Sequence, residues 1–188
     1  MDRAKIKREL EKLAAAGLPA EQPQEAAAPV EVQAEGEGEG KPKPKAKKEE
    51  DAPPRKNGLI ETEYAKRGAH LDVQISPDQV VSAAELLDGE GMTLEMVTGV
   101  DWLKENQFEV IYDYSFTGGQ LLRVVVRARI DRTKPDIPTV CHIFGGANWH
   151  ERETWELVGI NFVGHPQLEH FLLPEDADFF PLRKDFKP

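Results

Sequence analysis

Of 188 residues only one is cysteine, Cys141. No intrachain disulfide can form, and an iron–sulfur cluster, which takes about four thiolates, lacks its ligands. A reducing compartment is the expected setting. No apolar run approaches the roughly 20 residues of a membrane helix. The opening residues, Met1-Asp2-Arg3-Ala4-Lys5, lack the apolar segment of a signal peptide. The expectation is a soluble chain whose membrane link, where it has one, runs through partners. Positive charge is also in deficit, with a formal net charge of -10. Residues 1–57 are balanced, with 12 basic and 12 acidic side chains, whereas residues 58–188 carry 12 basic and 22 acidic. Such an acidic region repels phosphates, which argues against nucleic acid as a partner. There is no Gly-x-x-x-x-Gly-Lys, and no Gly-x-Gly-x-x-Gly opening a helix after a strand, so a nucleotide or NADH site on this chain has no support.

What is present falls into three parts. Residues 1–17 hold a short helix: Ile6, Leu10 and Leu13 recur at i, i+4, i+7, and Gly17 and Pro19 end it. It reads either as an exposed, frayed helix or as a docking helix for a partner's groove. Residues 18–57, rich in Ala, Pro, Glu, Gly and Lys, have too little apolar bulk to offset ordering entropy and are expected to be a disordered linker. Its Lys41, Lys43, Lys45, Lys47 and Lys48 are balanced by Glu35, Glu37, Glu39 and Glu49-Glu50-Asp51, so a solvated tether is the expected role.

Residues 58–188 read as one folded domain. Leu71, Val73 and Ile75 alternate with polar neighbours, predicting a half-buried strand. Ser76-Pro77 then opens a helix to about Asp88, with Val80, Val81, Ala84 and Leu87 inward and Gly89 as its stop. A further strand runs from Leu94 to Val100. Phe108–Phe116 and Leu121–Ile130 are two longer strands, both apolar at even positions, joined by a hairpin at Gly118-Gly119. Keeping the faces unmixed requires a three- or five-residue loop, with Phe116 opposite Leu122 and Glu109 opposite Arg129. Arg123, Arg127 and Arg129 then line an outer face, either solvated or in contact with a partner. Asp131–Pro138 is expected as a loop and Thr139–Phe144 as a short strand or extended run. The fold class is α+β: a mixed, mainly antiparallel sheet, a helix after the first strand, and a C-terminal helix followed by an extended irregular tail.

That last helix opens the most distinctive stretch, Ala147–Phe186, which holds two of the three Trp and three of the five His. Asn148 is the expected cap, Glu151, Glu153 and Glu156 follow in the early turns, and Gly159 is the stop. His150-Glu151 begins like a His-Glu-x-x-His zinc helix, but Thr154 stands where the second His belongs. Cys141, His142, His150, His165 and His170 are ligands by type only, so no metal site is expected. Carboxylates beside Arg152 are held ionised, which suits a fixed ion-pair network better than proton transfer. Neither a catalytic nor a cofactor-binding residue is therefore expected. The remaining reading is a docking surface, with Trp149, Glu151, Arg152, Glu153, His165, Pro166, Arg183, Lys184 and Asp185 as partner contacts. The alternative is structural: Trp149 and Trp155 as core, with Glu151-Arg152-Glu153 tying the helix to the irregular tail, a reading equally open for Trp155 and His165.

The order Glu151-Arg152-Glu153, Trp155-Glu156, Gly159-Ile160, Gly164-His165-Pro166-Gln167-Leu168, Leu172-Leu173-Pro174-Glu175-Asp176 and Pro181-Leu182-Arg183-Lys184-Asp185-Phe186 resembles the complex I thirty-kilodalton subunit family, found in bacterial NADH-quinone oxidoreductase. The family pattern places an Arg pair where this chain has Glu169-His170, and Gly-His where it has Phe179-Phe180. The resemblance implies a non-catalytic structural subunit in the peripheral arm of a proton-translocating complex. It would dock on the large quinone-site subunit and the small subunit bearing the terminal iron–sulfur cluster, on the cytoplasmic face of the cell membrane. NADH, flavin, iron–sulfur clusters and quinone would belong to partner subunits. The alternative it leaves open is the equivalent subunit of a related membrane-bound hydrogenase or deazaflavin-dependent dehydrogenase.

Overall fold

The computed structural model describes residues 2–17 and 56–187. The linker expected over 18–57 lies outside the described residues, apart from Lys56 and Asn57. In chain order the elements are α1 (Arg3–Ala16), β1 (Gly58–Glu61), α2 (Tyr64–Arg67), β2 (Leu71–Ile75), α3 (Val80–Gly89), β3 (Thr93–Trp102), β4 (Gln107–Phe116), β5 (Leu122–Asp131), β6 (Asp136–Pro138), α4 (Ala147–Val158) and β7 (Asn161–Val163). Short 3-10 turns, Pro77–Gln79 and Leu103–Glu105, precede α3 and β4.

The main sheet has the order β1-β2-β5-β4-β3. Only the β2–β5 pair is parallel; β6 and β7 form a separate parallel pair. The hairpin takes the register that keeps the faces apart: Phe116 lies opposite Leu122, Glu109 opposite Arg129, and Tyr114 opposite Val124. A five-residue loop, 117–121, achieves this. One face carries Leu71, Val73, Phe108, Val110, Tyr112, Tyr114, Val124 and Val126, all buried beneath helices. On the other face the arginines are not simply solvated. Arg127 reaches Asp72 at 2.9 Å and Glu109 at 3.6 Å, Arg129 reaches Glu109 at 3.5 Å, and Arg123 pairs with Asp113. The stems of these arginines cover their partners. That is why β2, expected half-buried, is buried along its whole length, Asp72 and Gln74 included.

Four local expectations change. In α3 the inward residues are Val80, Ala83, Ala84 and Leu87, with Val81 only half-buried. Gly89 stays inside the helix, and Gly91, at φ +76°, makes the turn out of it. α1 is neither frayed nor free for a partner. Ile6, Leu10 and Ala14 are buried against its own domain, where α1 meets β1, β2 and α3. The sequence stripe had Leu13 in place of Ala14. Finally, the short strand is Asp136–Pro138, and Thr139–Phe144 is a turn in which Ile143 and Phe144 donate to the Val140 carbonyl.

The cause of that turn is Glu151. Its side chain is fully buried on α4 and accepts from the Thr139 hydroxyl and, at 2.8 Å, from the Val140 amide. With that amide taken by a side chain, residues 139–144 cannot extend a strand. The turn then supplies the helix start: Ala147 donates to the Phe144 carbonyl and Asn148 to Gly145. The helix therefore begins at Ala147 without a side-chain cap, and Asn148 lies inside it. Its C-terminal stop is as expected, with Gly159 left-handed at φ +86° and donating to Trp155.

α4 sits on β3 at Gly99. A Cβ there would lie 2.7 Å from the Thr154 methyl and 3.0 Å from Ile160 Cδ1. Both neighbours are β-branched and cannot swing aside freely. Gly99→Ala is expected to destabilise the domain by about 1–3 kcal/mol, read by chemical denaturation, because an inserted methyl overpacks the joint. Burial also pushes the Glu151 carboxyl up from 4.5 to about 7, against the lowering effect of its two hydrogen bonds. A folded-state value above the unfolded one means the native state binds the extra proton. Its stabilising share is complete below about pH 4.5 and is lost as pH rises towards 7 and beyond. At about 1.36 kcal/mol per unit, the loss is roughly 3 kcal/mol. Glu151→Gln is expected to flatten this part of the stability–pH curve and to be the more stable form at pH 8.

Candidate partner-docking surface

Two neighbouring turns of α4 carry Arg152 and Glu156, an i, i+4 pair on the side facing the irregular tail. Arg152 Nε donates to the Glu169 carbonyl at 3.0 Å and Nη2 to the His170 carbonyl at 3.3 Å. Glu156 accepts the next three amides: Phe171 and Leu172 at 3.2 Å and Leu173 at 3.1 Å. One cation thus satisfies two consecutive carbonyls, and one anion three consecutive amides. The segment 169–173 has no strand or helix, yet its backbone is paired. The Glu156 carboxylate is fully buried in this nest, with the His170 ring nitrogen 3.4 Å away.

With the backbone held from below, Phe171 and Leu172 are exposed, Leu172 by 57%, as is Trp149, by 58%. Trp149 and Phe171 meet edge to face with centroids 5.5 Å apart. The Arg152 guanidinium lies 5.1 Å from the Trp149 ring and 5.0 Å from the Phe171 ring. The result is an apolar platform of three large side chains fixed on a buried charge. Trp155 is half-buried and packs on His170, 4.7 Å between centroids.

A second clamp holds the end of the tail. Arg183 Nε donates to the Val158 carbonyl at 2.7 Å, one of the orphan carbonyls at the C-terminus of α4, and its guanidinium lies 4.0 Å from the Phe180 ring. A Cβ at Gly159 would strike this guanidinium and Phe180, so glycine serves close approach there as well as its left-handed turn. Burial, and secondly the nearby Arg132, lower the Arg183 pKa. Asp101, buried at the end of β3, takes Arg132 at 3.1 and 3.3 Å and the Lys184 amide at 2.9 Å. Arg132 also reaches Asp185 at 2.6 Å, and this hydrogen bond first of all holds the Asp185 carboxyl below its usual range.

The nine residues expected at the docking surface therefore separate. Trp149, Glu153, Pro166, Lys184 and Asp185 are exposed. Glu151 and Arg152 are buried and engaged inside the chain, so the expectation that they touch a partner directly is corrected: they shape the surface from beneath. Arg183 is half-buried and turned inward on Val158 and Phe180. His165 is half-buried as well: Nδ1 accepts from the Gln167 amide and Nε2 donates to the Asn148 carbonyl. Burial lowers its pKa, against the Asn148 bond. Sequence reasoning missed Glu156, Phe171 and Leu172. The i, i+4 spacing of Arg152 and Glu156 was the available signal; the Asp101–Arg132–Asp185 cluster has none, since its members are far apart in sequence.

Cys141, Glu151 and His165 bring donor atoms within 4.8 Å of one another. Both Glu151 oxygens accept hydrogen bonds, from Thr139 and Val140, and His165 Nδ1 accepts from the Gln167 amide. These bonds join turn, helix and tail.

Residues 73–188 match the family model described as respiratory-chain NADH dehydrogenase, 30 Kd subunit. The chain is 40% identical over 121 residues to a NADH-quinone oxidoreductase subunit of Roseiflexus sp. (strain RS-1), covering 61% of this chain and 68% of that one. It is 38% identical over 121 residues to the corresponding NADH-quinone oxidoreductase subunit of Xanthobacter autotrophicus (strain ATCC BAA-1158 / Py2), covering 62% of this chain and 57% of that one. Among solved structures, a chain of the membrane-bound sulfane sulfur reductase, an archaeal respiratory membrane complex, superposes with a TM-score of 0.55 at 26% identity, covering 62% of this chain and 71% of that chain. With the motif residues of α4 and the tail inside the matched span, the chain belongs to the 30 kDa subunit family of the respiratory-chain NADH dehydrogenase, complex I.

Proposed function

We propose that the chain is a non-catalytic scaffold in the peripheral arm of a proton-translocating NADH-quinone oxidoreductase. It docks through Trp149, Phe171 and Leu172, and through the exposed Glu153, Pro166, Lys184 and Asp185, on the large quinone-site subunit and the small iron–sulfur subunit. The observation that carries this reading is the platform itself: large apolar side chains left outside while the charges beneath them are buried. A soluble domain gains nothing alone from exposing a Trp, a Phe and a Leu together. A partner that covers them removes their surface from water, and the fixed backbone reduces the ordering cost of binding. NADH, flavin, clusters and quinone sit on the partner subunits, and the chain is held at the cytoplasmic face of the membrane by those partners. No helix among the described residues is long and apolar enough to cross a membrane.

A second reading keeps the surface and changes the machine: the equivalent subunit of a related respiratory complex. The sulfane sulfur reductase neighbour favours it. Mild-detergent purification of the tagged chain from native membranes, with every partner identified, decides between them. Recovery of the NADH-oxidising subunits supports the first; hydrogenase-, sulfur- or deazaflavin-type input subunits support the second; recovery of the chain alone overturns both.

Trp149→Ala is expected to leave the isolated domain within about 0.5 kcal/mol of wild type, as a surface change does. Its affinity for the partner subunits should fall on the order of 30-fold, as for a hot-spot residue worth about 2 kcal/mol. Unchanged assembly would remove Trp149 from the interface. Glu156→Ala is expected to raise hydrogen exchange at Phe171, Leu172 and Leu173 by at least about tenfold while β4 and β5 stay protected, because those amides lose their acceptor. Assembly should weaken with it.

A further inference from the structure

Helix α1 lies outside the residues that match the family model, yet it is seated on the family domain with a complete set of contacts. Ile6 and Leu10 are fully buried and Ala14 nearly so. The rim is charge-matched: Lys5 pairs with Glu90, Lys7 with Glu61, and Arg3 approaches Glu61 at 3.5 Å. Asp2 caps the start, accepting from Ala4 at 3.0 Å and Lys5 at 3.3 Å. The far end is caught by Gln79, whose Nε2 donates to the Leu13 carbonyl at 2.6 Å. Gly17 nestles there: a Cβ would meet Gln79 Oε1 at 2.5 Å, Ser76 Oγ at 2.6 Å and Asn57 Nδ2 at 2.9 Å.

One feature sets this helix apart from α3 and α4. The chain leaving it at Gly17 returns at Asn57, a residue already within contact of Gly17. Closing that gap takes only the few residues of an ordinary connection, typically about 4–6. Residues 18–56 are far more than the span demands. A connection of that length holds a released helix at an effective concentration of millimolar order. A 14-residue helix is marginal on its own in water, so it folds as it docks.

We infer that α1 is a tethered ligand of its own domain: residues 3–16 dock in a helix-binding groove made by α3, β1 and β2, and leave and rejoin it while the five-stranded sheet stays folded. The groove is thus a site for an amphipathic helix with basic residues in its first two turns, and the occupant is this chain's own N-terminal segment.

The test uses the full chain with a site-specific protease sequence inserted between Gly38 and Glu39. After cleavage, native mass spectrometry should find the N-terminal fragment still bound one to one. An excess of synthetic peptide of residues 2–17 should replace it, whereas the same peptide carrying Leu10→Asp should be roughly 100-fold less effective, as expected for a charge placed in a buried apolar contact. During replacement, the amides of Val124 and Val126 in β5 should stay protected from hydrogen exchange. A fragment that departs on cleavage overturns the proposal, because the groove then has no affinity of its own. A fragment that stays but exchanges only as β5 loses protection also overturns it, because α1 is then an integral part of the core.

Discussion

Every polar group of a backbone that leaves water needs a partner, and in this domain one helix supplies partners for chain that makes no ladder of its own. Glu151, Arg152 and Glu156 lie on one and a half turns of α4, all buried. Arg152 and Glu156 are matched by peptide groups, the carbonyls of 169 and 170 for the first and the amides of 171–173 for the second, while Glu151 accepts from the Thr139 hydroxyl and the Val140 amide. A buried charge without such partners would be strongly destabilising. The dependence is mutual, since those peptide groups have no other acceptor or donor nearby in regular structure. The irregular tail is therefore fixed in the way a strand is fixed, by hydrogen bonds, but without a neighbouring strand.

This arrangement bears on the two places where the sequence departs from the pattern it resembles. Arg152 binds positions 169 and 170 through their carbonyls, so Glu169 and His170 in place of an Arg pair leave that contact intact. The His170 ring gains a place between Trp155 and Glu156. At the other departure, Phe180 lies against the Arg183 guanidinium, while Phe179 stacks on Phe186 at 5.6 Å. Aromatic faces accept the cation where polar groups stand in the family pattern. The fold of the tail survives because it is read through the backbone.

Much of the sheet was legible in the sequence because period two is a strong signal. The apolar even positions of Phe108–Phe116 and 121–130 determined the hairpin register, and the outcome has those pairs. The short elements were not legible. β1 and β6 are too brief for a period to show, and the turn at 139–144 depends on a carboxylate that arrives from α4, twelve residues beyond Thr139. The exposure of the candidate surface residues was half legible. Residue types and order marked α4 and the tail, but type alone cannot separate an exposed Trp149 from a buried Arg152. The docking reading turned Glu151 and Arg152 towards a partner; the other reading, that they tie the helix to the tail, is what Arg152 does. α1 shows the converse error, where a narrow apolar stripe suggested a weak helix and a groove on the same chain completed it.

The two ends of the domain now contrast in a way that bears on assembly. At the tail, buried charges bind the backbone and push apolar side chains out; at α1, apolar side chains go in and charges close the rim. The first arrangement leaves a hydrophobic surface unsatisfied and rigid, which suits a permanent partner, since association there removes apolar area at little ordering cost. The second turns its apolar side chains inward and closes its rim with solvent-screened ion pairs. That helix is held by Ile6, Leu10 and Ala14 in the core and by charges at its rim. The domain thus separates a surface that leaves apolar side chains in water from one that its own helix covers. That difference follows from which kind of group each element turns towards water.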